Sequence, residues 1–444
     1  MIKDKAFLEK ISQFCLDKAK NLGATNCEIA VGNSISESIS YRNKQVEQSD
    51  RSDNFSIGLT TYMGNKKSNV SSSNIKKDDI SALIERCIAM TKITPEDKYS
   101  SMPKESFLAK KDISLNLFDK TELDNDYKIN FLQEMEEEAF SNSKITNSNG
   151  CSFSEAKSNF ILTNSLGFSK GYATSMFSAG CAVVAEDKGL METDYEYSTK
   201  RFSNELLNSK KIGSSAADRA VRRLNAKKIE STKIPVIFDK RISKSLLSSF
   251  ASAISGSSFS RGTTFLKNKL RKEVFSSSIN IFDDPLIEKG LGSQPFDSEG
   301  VTSNKLSLVE NGKLQNIFLD TYNSNILGVE TNGRSGGSTN LYFENGKNTL
   351  KEIIQAQKKA LYITDLIGRG SDTITGDYSV GASGILIENG ELGYAVNEIT
   401  IAGNLLDMYK NLDLANDLEF TYATNSPSVI INQMTMKNLL QKRH

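Results

Sequence analysis

Histidine is nearly absent from this chain: the single imidazole is His444, the last residue. A Ser-His-Asp or Cys-His site needs an imidazole to carry its proton, so such a site would require the tail to fold back. Cysteine is sparse as well. The five, Cys15, Cys27, Cys87, Cys151 and Cys181, all lie in the first half and none form a Cys-x-x-Cys pair. Zinc-finger and thioredoxin-type motifs are therefore not expected. Each thiol reads as a small buried apolar side chain rather than a reactive group. Unpaired thiols without a framework fit a reducing compartment. No apolar run reaches membrane length, and Met1-Ile2-Lys3-Asp4-Lys5 leads into an amphipathic helix rather than a signal peptide. The expected location is cytoplasmic. Neither sign of charge is in excess: 55 Lys and Arg against 54 Asp and Glu leave a formal charge of +1. That balance gives no electrostatic case for a nucleic-acid partner.

What is present is a globular composition, with 38% hydrophobic and 25% charged residues, which is too apolar for a disordered chain. A length of 444 residues suggests two or three domains, each able to bury its own core. Lys5 to Lys20 has helical spacing and stops near Gly23. Strand-like runs follow at Cys27–Val31, Ser34–Tyr41, Phe55–Met63 and Lys67–Ser72, the last two joined by Gly64-Asn65. Asp78 to Met90 is helical. Thr94-Pro95-Glu96-Asp97 and Met102-Pro103 read as a linker. Asp124 caps a helix running to Phe140. The run Glu134, Glu136, Glu137, Glu138 on that helix reads as a solvated face, because adjacent helical carboxylates diverge. Lys144 to Tyr197 reads as strands with turns at Asn149-Gly150, Leu166-Gly167 and Lys188-Gly189. A helix spans Lys210 to Leu224, and Asn225 to Lys233 marks a boundary.

The second half opens with Ile234-Pro235-Val236-Ile237-Phe238, an apolar strand. Asp239 precedes a helix from Arg241 to Ser255 with Gly256 as its stop. Its apolar stripe is Ile242, Leu246, Leu247, Phe250, Ala253 and Ile254, and its other face is Ser243, Ser245, Ser248, Ser249 and Ser252. A zinc peptidase places two imidazoles and a glutamate on such a helix; this face offers serine and alanine. Asp297-Ser298-Glu299-Gly300 puts two carboxylates in a turn. They suit a metal or a peptide amine, although self-satisfied side chains are the default there. Asn311-Gly312 and Asn389-Gly390 are hairpin signals. Thr331 to Asn340 reads as a flexible loop without the lysine and hydroxyl of a phosphate cradle. Gly368 and Gly370 lack the strand–helix context of a dinucleotide site. The Ser-x-x-Lys matches are chance in a chain this rich in both residues.

Several motifs together resemble the TldD/PmbA family, once called modulators of DNA gyrase. They are Tyr41-Arg42-Asn43 with Val46-Glu47, Ile145-Thr146-Asn147-Ser148-Asn149-Gly150, and Gln294-Pro295-Phe296-Asp297-Ser298-Glu299-Gly300-Val301. The series continues with Gly376-Asp377-Tyr378-Ser379, Glu388-Asn389-Gly390 and Glu398-Ile399-Thr400-Ile401-Ala402-Gly403-Asn404. In that family the TldD branch carries His-Glu-x-x-x-His on the helix after the central strand and a cysteine near its C-terminus. The PmbA/TldE branch lacks these zinc ligands. Here the positions around Ser248, Ser249 and Ala253 replace them, and no cysteine follows Cys181. The resemblance therefore implies a PmbA/TldE-type chain with no zinc of its own.

The implied function is that of a non-catalytic subunit. It would pair with a TldD-like paralogue that carries the zinc, and act on unfolded peptides in peptide maturation or antitoxin degradation. Main-chain pairing of an extended peptide suits such loose selectivity. The expected fold is α+β, with mostly antiparallel sheets and packed helices. Residues 1–225 form an N-terminal part, dividing again near 95–110 if the linker is free, and 226–444 form a C-terminal part. Asp297, Glu299, Gly300, Gly376, Asp377, Tyr378 and Ser379 are the candidate peptide or partner contacts. Two other readings stay open. One is a stand-alone homodimeric peptide-binding or regulatory protein, favoured if no His-Glu-x-x-x-His paralogue accompanies the chain. The other is a hydrolase using Asp297, Glu299 and Asp377. Direct modulation of gyrase is disfavoured by the lack of a basic stripe.

Overall fold

The computed structural model describes residues 2–368 and 370–438; the tail carrying His444 lies outside them. The first half is built on one six-stranded antiparallel sheet. Helix α1 (Lys5–Asn21) is capped by Asp4. Strands β1 (Asn26–Arg42), β2 (Gln45–Met63) and β3 (Lys66–Ser72) follow, then helices α2 (Lys77–Ile93) and α3 (Asn125–Phe140). Strands β4 (Ile145–Asn164), β5 (Ser169–Asp187) and β6 (Leu190–Lys200) lead to helix α4 (Ser209–Arg222). The strand order is β3-β2-β1-β4-β5-β6. The two strand runs expected at 27–31 and 34–41 are one strand. Asn33 keeps it continuous, because its buried amide donates to Asp53 and to the Asn54 carbonyl on β2.

The β1–β4 pairing runs from Glu28↔Asn164 to Tyr41↔Cys151, so one sheet carries both helix pairs. Helices α1 and α2 cover one core with Ile29, Val31, Ile57 and Leu59. Helices α3 and α4 cover another with Phe153, Phe177 and Ala179.

Two further expectations for this half are overturned. Asn149-Gly150 is no turn: it lies inside β4, where the register with β5 shifts between Ser148 and Gly150, a bulge. Glu136 is not solvated. It is 2% exposed, and its two carboxylate oxygens accept the Asn43 and Lys44 amides, each at 3.0 Å. Those residues form the β1–β2 turn and both have positive φ. A carboxylate accepting two turn amides satisfies donors that burial would otherwise leave unpaired.

The second half starts with β7 (Thr232–Phe238), helices α5 (Lys240–Ala253) and α6 (Gly256–Arg261), and strands β8 (Ile281–Asp283), β9 (Leu306–Glu310) and β10 (Lys313–Leu314). Helix α7 (Thr321–Leu327), strand β11 (Leu341–Phe343), helix α8 (Leu350–Gln355) and strands β12 (Lys359–Ile367), β13 (Asp377–Glu388) and β14 (Glu391–Asn404) come next. Helix α9 (Leu405–Lys410) and strands β15 (Leu412–Leu414), β16 (Thr424–Asn425) and β17 (Val429–Asn438) end the described chain. The largest sheet here has the order β14-β13-β12-β7-β17-β15, and β14 also pairs with β17. The first five of these strands thus close on themselves.

β7 sits at the centre, with Val236, Ile237 and Phe238 all 0% exposed. Burial on both faces explains its unbroken apolar run. Asn389 (φ 52°) and Gly390 (φ 83°) make the expected tight turn between β13 and β14. Gly256 does not stop α5 but begins α6, because Ser255 caps the new helix through the Ser258 amide.

The segment 331–340 is not a free loop. Arg334 is 2% exposed, and its guanidinium donates to Asp283 Oδ2 at 2.6 Å and to the Asp283, Gly333 and Asn304 carbonyls. Thr339 closes the other side by donating its amide and hydroxyl to the Asp283 carboxylate. Removing one partner strands the other charge in the interior. Arg334→Met should therefore lower stability by about 3–5 kcal/mol, read as a fall in the urea midpoint. The double variant Asp283→Leu/Arg334→Met should recover part of that loss. A single variant that melts like the parent would contradict the assignment.

Candidate functional site

The site is organised around α5, which leaves the central strand β7. Asp239 caps it by accepting the Arg241 amide at 2.8 Å, and also accepts a hydrogen bond from the Tyr362 hydroxyl. Leu246, Leu247, Phe250 and Ala253 are fully buried. On the opposite face the hydroxyls of Ser248, Ser249 and Ser252 donate to the carbonyls of Lys244, Ser245 and Ser248 at 3.0–3.1 Å. Ser249 Oγ also lies 2.9 Å from Ser371 Oγ. Of the positions expected to replace zinc ligands, Ser248 is exposed and Ser249 half-buried, whereas Ala253 is turned into the core. These groups do not fit a zinc ion, which takes thiolate, imidazole or carboxylate. Among the described residues no group of three or more His, Cys, Asp or Glu is arranged to hold a metal.

Ser371 brings the glycine-rich loop onto this face. Asp372 accepts the Gly376 amide through its carbonyl, and the Gly376 carbonyl accepts the Leu405 amide. Asp377 Oδ2 accepts the Thr375 hydroxyl at 3.0 Å. Asp377 and Ser379 are exposed beside the serine face, whereas Gly376 and Tyr378 are buried.

The other carboxylate turn goes elsewhere. Asp297 is 1% exposed. Its Oδ1 accepts the Glu299 and Val301 amides and its Oδ2 accepts the Ser335 amide, at 2.9–3.0 Å. Glu299 Oε2 accepts the amide and hydroxyl of Thr321 on α7. Gly300 has φ +78°, and a Cβ there would stand 2.9 Å from the Phe168 ring. The Gly300 carbonyl accepts the Ala109 amide. The turn is thus a joint between the β4–β5 end of the first sheet, residues 107–109 and α7. The sequence reads 94–103 as a linker, yet Asp97 accepts the Tyr322 hydroxyl and the Phe107 carbonyl accepts the Thr302 amide.

A set of basic and aromatic residues beside α5 has no local signature in the sequence, because its members come from four separate segments. A cavity of about 180 Å³ lies between the β6 edge, the start of α5 and residues 419–426. Arg219 and Arg241 both donate to the Tyr195 carbonyl at 3.2 Å. The Tyr195 and Tyr197 amides are taken by the Asp194 and Glu196 carboxylates. Side chains thereby occupy main-chain groups on an edge strand that would otherwise invite pairing. The Lys244 ammonium sits 3.2 Å from the Tyr422 ring centroid and 3.3 Å from the Tyr197 hydroxyl, a cation–π contact that fastens residue 422 to α5. Burial pulls the Arg241 guanidinium down, but Asp194 and Asp239 raise it overall.

Three family models match the chain: the PmbA/TldA metallopeptidase domain 1 over residues 27–91, the central domain over 118–224 and the C-terminal domain over 231–438. The chain belongs to the PmbA/TldD family. It is 34% identical over 430 residues to a metalloprotease PmbA homolog of Haemophilus influenzae, covering 96% of this chain and 95% of that one. It is 32% identical to the metalloprotease PmbA of Escherichia coli O157:H7, over 92% and 91% of the two chains. A structure described as a modulator of DNA gyrase from Bacteroides thetaiotaomicron superposes with a TM-score of 0.93 at 26% identity, covering 99% and 100%. The TldE structure from Thermococcus kodakarensis, at 19% identity and a TM-score of 0.80, shares the fold. The α+β, antiparallel-dominated architecture expected from the sequence is that of this family. No helix among the described residues is long and apolar enough to cross a membrane.

The joint carries a pH dependence. Burial raises Glu28 to about 7, with Glu299 adding to it, and burial likewise raises Asp297 to about 7. Both groups ionise near 4 when unfolded. The folded state therefore holds protons that the unfolded chain has released between about pH 4 and 7. Their contribution to stability is complete below pH 4 and is lost as pH rises to 7. Glu28→Gln should make the melting temperature less sensitive between pH 5 and 8 than in the parent; identical slopes would refute this role.

Proposed function

We propose that this chain is the non-catalytic, PmbA/TldE-type subunit of a cytoplasmic zinc metallopeptidase acting on unfolded peptides, with the zinc on a TldD-like partner. The observation that carries the proposal is the outward face of α5. This helix follows the central strand, and its outward Ser248, Ser249 and Ser252 offer hydroxyls bonded back to the helix's own carbonyls in place of imidazole, thiolate or carboxylate. The homology to proteins named metalloprotease PmbA supports the peptidase setting. A carboxylate mechanism on this chain is disfavoured, since Asp297 and Glu299 are committed to amides and a hydroxyl. Peptide or partner contact is assigned to Asp377 and Ser379 at the exposed end of the glycine loop, with Gly376 and Tyr378 shaping it. Asp297, Glu299 and Gly300 contribute by holding the joint.

The test is hydrolysis of an unstructured peptide by this chain, by its His-Glu-x-x-x-His paralogue, and by the two mixed. The mixture should turn over substrate, a chelator should quench it, and this chain alone should be silent. Asp377→Lys should reduce the activity of the mixture about tenfold, the ~1.4 kcal/mol scale of one lost contact, without shifting this chain's melting temperature. Turnover by this chain alone would overturn the proposal.

A further inference from the structure

Cys151 on β4 and Cys181 on β5 are directly opposite in the register, 1% exposed each, with their Sγ atoms 3.1 Å apart. The class of this cross-strand pair follows from the backbone. In β5 the even-numbered amides face β4, since Glu186 donates to the Lys144 carbonyl just before that strand. The odd-numbered ones face away, since Ser175 donates to Leu117. Cys181 is odd and its register with β6 is unbroken, so Cys151↔Cys181 is a non-hydrogen-bonded pair. Such pairs hold their Cα atoms about 4.5 Å apart, inside the 4.4–6.8 Å range that a disulfide spans. The other three thiols are placed differently: Cys15 is on α1, Cys27 on β1 and Cys87 on α2, where Cys87 lies 3.2 Å from the Thr61 hydroxyl.

We propose that Cys151 and Cys181 form a reversible cross-strand disulfide when the chain meets a small-molecule disulfide oxidant, stapling β4 to β5. One thiol, as its thiolate, attacks the oxidant. A mixed disulfide forms, and the first small thiol departs with the proton. The second cysteine then attacks the mixed disulfide at the protein sulfur and releases the second small thiol. Two protein thiols and one small disulfide become one protein disulfide and two small thiols. In the closed sheet the hydrogen bond to Cys181 and burial hold the Cys151 thiol far above the usual thiol range, so attack needs local opening. The bulge at Ser148–Gly150 next to Cys151 is where the β4–β5 ladder is already interrupted.

The test treats the full chain with glutathione disulfide, both folded and during refolding from urea, then alkylates free thiols and maps peptides by mass spectrometry without reductant. The expected product links Cys151 to Cys181 with the loss of two hydrogens, while Cys15, Cys27 and Cys87 are alkylated. The oxidised chain should melt several degrees higher than the reduced one, and dithiothreitol should reverse the shift. Cys151→Ala and Cys181→Ala should each abolish both the link and the shift. Alkylation of all five thiols after refolding in the oxidant, or a link formed to any other cysteine, would overturn the proposal.

Discussion

Much of the second half hangs on one ion pair that water does not reach. Arg334 and Asp283 have side chains that are both 0% exposed. Burying two charges costs more than their attraction returns unless every remaining donor and acceptor is filled. The surrounding chain is arranged to fill them. Asp283 ends β8, the Asn304 carbonyl precedes β9, and Thr339 leads into β11, so three strands of one sheet are positioned by the same charges. The constraint then travels outward. Ser335, next to Arg334, donates to Asp297, whose other oxygen orders Glu299 and Val301. Glu299 holds α7, and Gly300 meets Phe168 and Ala109. The joint between the two halves is therefore set by a polar network rather than by apolar contact alone.

Helix α5 stands apart from that network. Its inner face is fixed by Leu246, Leu247 and Phe250 packing in the largest core, which specifies the helix whatever its outer face carries. The outer face adds local contacts only, Lys244 to the Tyr422 ring and Ser249 to Ser371, and its Ser248, Ser249 and Ser252 bond back to their own helix.

Much of this was legible in the sequence. Two-residue turns such as Asn389-Gly390, caps such as Asp124 and the doubly buried run 234–238 carry their own local chemistry, and each lies where expected. Three features were not legible. Glu136 looks like one of four similar helical carboxylates, and only the arrival of the Asn43–Lys44 turn distinguishes it. The glycines of 331–340 suggest mobility, because the burial of Arg334 depends on Asp283, 51 positions away. The groove by α5 draws on β6, α4, α5 and residue 422, and no local pattern announces an assembly from remote segments. The serine face was readable in part from helical spacing, for Ser248, Ser249 and Ser252, whereas Ser243 is buried against the Pro427 carbonyl, 184 positions away.

The most direct test of the central claim is the zinc content of the purified chain, of the proposed TldD-like partner and of the two mixed, measured after dialysis by plasma mass spectrometry. Background zinc is expected on this chain and about one ion on each chain of the proposed partner, as for a single tetrahedral catalytic site, with the mixture carrying only the partner's share. A stoichiometric ion retained by this chain alone would contradict the reading of α5 and place a metal centre where the serines stand.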